Sequence, residues 1–194
     1  RSAERRFNFM NNFKTFYNEK AVPALKQALK LSNPMAVPRV QKVVVNVGVG
    51  KTLKDPKMLE AIVEDVKGIT GQTPVKTIAK KSIAGFKIRE GQVVGLVVTL
   101  RGERMYDFLE KLVKISLPRV RDFRGLNPKK FDSHGNYNIG FHEQIVFPET
   151  TREHLDYTFG LEVNIQTSTD DDKQALELLK SLGFPFAQAD GQNS

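Results

Sequence analysis

Val43, Val45 and Val47 alternate with Val44, Asn46 and Gly48. A two-residue period of this kind predicts a strand over Val40–Val49 with one face buried. Two later stretches share the period. Over Val93–Arg101, Val94, Leu96, Val98 and Leu100 fall on one side, with Thr99 and Arg101 on the other. Over Gly160–Ser168, Leu161, Val163 and Ile165 oppose Glu162, Asn164 and Gln166. Shorter strands are predicted near Val75–Ile78 and over Ile139–Phe147, the latter closed by Pro148. Helical spacing appears between them. Asp55-Pro56 offers a cap and a first-turn proline, and Leu59, Ile62, Val63, Val66 and Ile69 follow, ending at Gly71. Met105, Phe108, Leu109, Leu112 and Ile115 mark a helix over Glu103–Ile115, and Ala175, Leu178, Leu179 and Leu182 a last one. A first helix over Lys14–Leu31 has Phe16, Leu25 and Leu29 as apolar points, and Pro23 kinks or restarts it.

The order strand–helix–strand–strand–helix–strand predicts an α+β fold: a largely antiparallel sheet with helices on one face, related to the split βαβ, ferredoxin-like arrangement. One-sided alternation leaves the other face uncovered. Asn46, Thr99 and Arg101 fall on that face, which suits either a docking platform or plain solvation.

Charge changes the picture. The chain of 194 residues has a net charge of +8. Residues 1–138 carry 27 Lys+Arg against 12 Asp+Glu, and residues 139–194 carry 3 against 10, which gives +15 and −7. A molecule polarised in this way offers a basic region to a polyanion. Thr77–Gly91 joins two predicted strands, is long for a hairpin loop, and holds Lys80, Lys81, Lys87 and Arg89 against Glu90 alone. Loops of this length are usually either functional or disordered. A second basic stretch, Pro118–Ser133, interleaves Arg119, Arg121, Arg124, Lys129 and Lys130 with Phe123 and Phe131.

Catalytic and metal signatures are weak. In GVGKT (Gly48–Thr52) a phosphate loop would need glycine where Val45 stands, and a dinucleotide fingerprint would need one at Leu53. With no cysteine, and with His134, His142 and His154 irregularly spaced, no zinc set forms. No GxSxG nucleophile motif occurs. No metal site, cofactor or enzymatic activity is expected. No apolar run reaches the ~18 residues of a membrane span, and residues 1–12 lack the hydrophobic segment of a secretory signal. Two rivals stay open on residues alone: a phosphate-transferring enzyme around Lys51, and a scaffold that grips another protein through its acidic C-terminal part.

Longer blocks carry a resemblance. VPRVQKVVVNVGVG (Val37–Gly50), ITGQTPVKTIAKKSIAGFKIREG (Ile69–Gly91), VTLRGERMYDFLEKL (Val98–Leu112), PRVRDFRGL (Pro118–Leu126), GNYNIGFHEQIVFPE (Gly135–Glu149) and GFPF (Gly183–Phe186) occur in family order. The chain resembles the bacterial-type large-subunit ribosomal protein L5 family, which binds 5S rRNA in the central protuberance. The resemblance implies one RNA-binding domain over residues 13–186. Residues 1–12 would form a flexible N-terminal extension and residues 187–194 a tail.

It further implies a structural constituent of the large subunit, at work in translation on a cytoplasmic ribosome, or alternatively an organellar one. Contacts to 5S rRNA map onto Asn46, Gln72, Thr99 and Arg101, with Arg39 and Lys42 beside them. Contacts to peptidyl-site tRNA map onto Lys80, Lys81, Ser82 and Lys87, and a bridge to a small-subunit head protein onto Arg121 and Arg124. Large-subunit rRNA and other 5S-associated ribosomal proteins are the remaining implied partners.

Overall fold

The structure is a computed structural model that describes residues 12–50, 56–86, 88–150 and 158–187. The expected extension and tail lie outside the described residues except for Asn12 and Ala187, and so do Asp55, Lys51 and Lys87. The chain forms two compact units interleaved in sequence. One comprises residues 1–42, 101–138 and 165–194; the other comprises residues 43–100 and 139–164.

Five strands, β1 (Val40–Gly48), β2 (Val75–Ile78), β3 (Val93–Leu100), β4 (Tyr137–Phe141) and β5 (Leu161–Thr167), form one sheet in the order β2-β3-β1-β5-β4. β3 runs antiparallel to both β1 and β2. It therefore lies between the two strands joined through helix α3 (Pro56–Thr70), which is the predicted split βαβ. The place of the fourth ferredoxin-like strand, beside β1, is taken by β5, and β4 adds an edge beyond it.

The register fixes the faces. Val43 opposes Leu100, Val45 opposes Val98 and Val47 opposes Leu96, and all six are at most 1% exposed. Between them, Val44 opposes Thr99 and Asn46 opposes Val97. A slip of one residue would turn three buried valines outward, a loss of roughly 4–9 kcal/mol at about 1.5–3 each. That rivals the whole stability of an ordinary domain, about 5–15 kcal/mol, so the strand cannot present its other face. In the same unit α3 lies against β3 and buries Ile62, Val66 and Ile69. It ends at Gly71, whose φ of +68° only glycine adopts freely.

The other unit is mainly helical. α1 (Asn12–Phe16) passes through a π-helical turn (Tyr17–Ala21) into α2 (Val22–Ala28), and α4 (Gly102–Lys111) passes through another (Leu112–Ser116) into a 3-10 turn (Leu117–Arg119). Each wide turn ends two residues before a proline, Pro23 or Pro118. A proline nitrogen has no hydrogen for the carbonyl four residues back, and its ring crowds that carbonyl. A five-residue turn relieves the conflict: Val22 N–H donates to Tyr17 O, and Leu117 N–H to Leu112 O. α4 packs with α1, and α5 (Asp172–Ser181) packs with α2.

These turns correct two sequence expectations. The added residue shifts the helical phase, so Ser116 is buried and Ile115 is exposed. In the first helix the buried stripe is Phe13, Tyr17, Ala21 and Leu25, while Phe16 and Leu29 are half-buried. A third correction concerns Ile139–Phe147. The strand starts at Tyr137 and stops at Phe141, and Gln144–Val146 forms a 3-10 turn with Gln144 fully buried. The Gln144 side chain accepts from Phe159 N–H at 3.0 Å, a side chain-to-backbone bond that competes with strand pairing.

Candidate nucleic-acid interface

In the sheet-bearing unit, the face opposite the valine core carries short side chains. Val44, Asn46 and Gly48 of β1 stand opposite Thr99, Val97 and Gly95 of β3. Val75 and Thr77 of β2 oppose Val97 and Gly95 in turn. Asn46 is exposed and Thr99 half-buried. Gln72 joins them from the turn after α3, where Thr70 Oγ1 donates to Val66 O and lies 3.0 Å from Gln72 O. Gln72 Nε2 donates to Thr99 O at 3.3 Å. Three of the residues expected at 5S rRNA thus sit in one unit.

The basic loop is folded, not slack. β2 and β3 form a hairpin, and the segment between them is closed by Ala79 N–H to Gln92 O (2.8 Å) and Gly91 N–H to Ala79 O (3.0 Å). Ile83 and Ile88 exchange two further bonds, 2.9 and 3.2 Å. Ser82 Oγ accepts from Glu90 N–H at 2.9 Å, and Gln92 Oε1 accepts from Arg89 N–H at 2.9 Å. Lys80, Lys81 and Arg89 are exposed on this scaffold. Ser82 therefore has a structural duty in addition to any contact with a ligand. The backbone that carries Lys80, Lys81 and Arg89 is thus already ordered, which lowers the ordering cost of meeting a phosphate backbone.

The helical unit holds the remaining expected residues. Arg39 is exposed and Lys42 half-buried. The Arg39 backbone is pinned by Ser168, whose Oγ accepts from Arg39 N–H at 3.0 Å and whose N–H donates to Arg39 O at 2.9 Å. Tyr17 donates its hydroxyl to Pro38 O at 2.9 Å. Burial, then the neighbouring Tyr106, push its phenol up to about 12, against the opposing pull of Arg39. Arg101 is extended (φ −141°, ψ 162°) and exposed at the start of α4.

The second basic stretch is irregular but anchored. Leu126 N–H donates to Pro185 O at 2.8 Å and Ala187 N–H donates to Leu126 O at 2.9 Å, so GFPF straps the segment down. Phe131, Tyr137 and Phe186 form an aromatic cluster, with centroids 4.7 Å (Phe131–Tyr137) and 5.4 Å (Tyr137–Phe186) apart. Tyr137 donates to Asn127 O at 2.9 Å, and burial lifts its phenol to about 12. Arg119, Arg121, Arg124, Lys129 and Lys130 remain exposed around this frame. No local pattern announces the strap, because nothing nearby in the chain links residue 126 to residue 186.

Among the described residues, no group of three or more His, Cys, Asp or Glu side chains gathers where a metal could sit, and no helix is long and apolar enough to cross a membrane.

Comparison with known proteins identifies the family. Residues 33–89 match the family described as ribosomal protein L5, and residues 93–186 match the model of that ribosomal family's C-terminus. Large ribosomal subunit protein uL5 of Halothermothrix orenii is 57% identical over 172 residues, 89% of this chain and 96% of that protein. The uL5 of Bifidobacterium longum is 52% identical over 175 residues, covering 90% and 92%. That of Carboxydothermus hydrogenoformans is 48% identical over 179 residues, covering 92% and 100%. The chain belongs to the ribosomal protein L5 family, whose members are structural proteins of the large ribosomal subunit and not enzymes.

Proposed function

We propose that this ribosomal protein fastens 5S rRNA into the central protuberance of the large subunit and reaches P-site tRNA and the small-subunit head. Asn46, Gln72, Thr99 and Arg101 contact 5S rRNA, with Arg39 and Lys42 adding charge. Lys80, Lys81, Ser82 and Lys87 meet the tRNA backbone, and Arg121 and Arg124 serve the bridge. Large-subunit rRNA and other 5S-associated proteins complete the surroundings. The observation that carries the reading is the uncovered sheet face, held outward by the valine register. It presents amides and hydroxyls suited to sugar edges and phosphate oxygens, while the loop cations neutralise phosphates and release counterions.

Arg101→Ala provides the test. Arg101 is exposed, so its loss leaves the fold intact and removes one charged hydrogen-bonding group. Filter binding to isolated 5S rRNA should weaken by ~1–3 kcal/mol, with a smaller salt slope. Unchanged affinity in a folded variant refutes the assignment.

A further inference from the structure

On one side the sheet ends at β2, which pairs with β3 alone. Among the described residues no strand lies beyond it, so one row of its backbone N–H and C=O groups faces outward. Apolar side chains gather along this edge. Of the six large hydrophobic side chains exposed among the described residues, three lie in the β2–β3 hairpin: Val75 (68%), Ile78 (58%) and Ile83 (48%). An outward row of backbone groups beside exposed β-branched side chains is a template on which another strand can form. Three features oppose that use. β2 is only four residues long. Lys76 is exposed between Val75 and Thr77. Thr77 and Ile78, neighbours in β2, stand opposite Gly95 and Val93 of β3, so Val94 is an extra residue and the ladder is bulged there. Short length, a lysine and a bulge each blunt a free edge.

We propose that Lys76, aided by the bulge beside it, keeps the β2 edge from pairing with the β2 edge of a second copy of this chain. A second copy is the partner this edge fits, because it brings the same apolar side chains and the same length of strand to a self-complementary, two-fold contact. In the register centred on Lys76 the two like charges would stand directly opposite each other, which destabilises the pair. In the other registers each lysine would lie against the partner strand, where its ammonium sheds water. No acid waits there to receive it, since residues 73–89 hold neither Asp nor Glu. The bulge adds local twist, which turns the end of the edge away from a straight partner. The device serves the free chain, whose edge is uncovered.

Lys76→Val is the test, made in the full chain and followed by sedimentation velocity over a series of concentrations. It leaves Val75–Ala79 without a charge, a window of the kind that seeds strand pairing. Lys76 is exposed, so the melting temperature should match that of the wild type, while self-association tightens by at least ~10-fold. Lys76→Glu keeps a charge on the edge and should stay monomeric, as should the wild type. Lys67→Val makes the same change of charge and polarity at an exposed position of α3, on a helix rather than on the edge strand, and should stay monomeric too. Ile78→Lys added to Lys76→Val returns a charge to the edge and should return the monomer. A folded Lys76→Val that sediments as the wild type does at every concentration overturns the proposal. So do a wild-type chain that already pairs through β2, association of Lys67→Val as strong as that of Lys76→Val, and association that survives Ile78→Lys.

Discussion

Gly125→Ala probes how the basic stretch after α4 is held. Gly125 has a φ of +102°, and its missing Cβ would fall 2.5 Å from Ala187 N, 2.7 Å from Ala187 Cα and 3.0 Å from Phe186 C. All three are backbone atoms, so no rotamer change relieves the contact. Alanine must bear a backbone conformation worth about 1–3 kcal/mol of strain and must push the GFPF strap away. That forfeits the Leu126–Pro185 and Ala187–Leu126 hydrogen bonds, about 1 kcal/mol each, and loosens Phe186 from Tyr137. The combined loss is about 3–5 kcal/mol, or roughly 6–20 °C in melting temperature for a chain of this size. Denaturant unfolding measures the sum, and hydrogen exchange at the Leu126 and Ala187 amides locates it. On the proposed reading, 5S rRNA affinity survives below the transition while subunit association weakens, because Arg121 and Arg124 lose their frame. A stability change under about 1 kcal/mol, or protected amides at Leu126 and Ala187, would refute the argument.

Two further outcomes follow from the loop and from the buried phenols. Reversing Lys80 and Lys81 to glutamate should lower P-site tRNA affinity of reconstituted ribosomes and reduce its salt slope by about 2, while 5S rRNA retention is unchanged; equal loss of both contradicts separate surfaces. Tyr17 and Tyr137 are raised from 10.0 to about 12 in the folded chain, so the unfolded state gives up their protons first. Stability from these groups is whole below pH 10 and is lost as pH rises from 10 towards 12. Tyrosinate absorbance together with denaturant midpoints tests this, and ionisation of both phenols near pH 10 in the folded protein would contradict it.

The sequence by itself determined the strands and their inward faces. Val43, Val45 and Val47 admit one orientation, because any other exposes them, and a short-range period is all that choice requires. It also determined the helix around Ile62 and Val66, its stop at Gly71, and the concentration of cations in two loops. Family membership was legible for a different reason: long blocks such as Ile69–Gly91 carry it without any geometry.

The tertiary structure decided what depends on distance along the chain. Pro23 is visible as a helix disturbance, yet only the tertiary structure shows that it and Pro118 are each absorbed by a widened turn, the second of which buries Ser116 in place of Ile115. The strand expected to run to Phe147 stops early because the Gln144 side chain finds Phe159, a partner fifteen residues away. Asn46 and Thr99 could be placed on one face from alternation alone. Thr77 could not, since its place opposite Gly95 depends on the β2–β3 register, and that register is shifted between Thr77 and Ile78. Local periodicity reports which way a side chain points; cross-strand register and chain return decide what it meets.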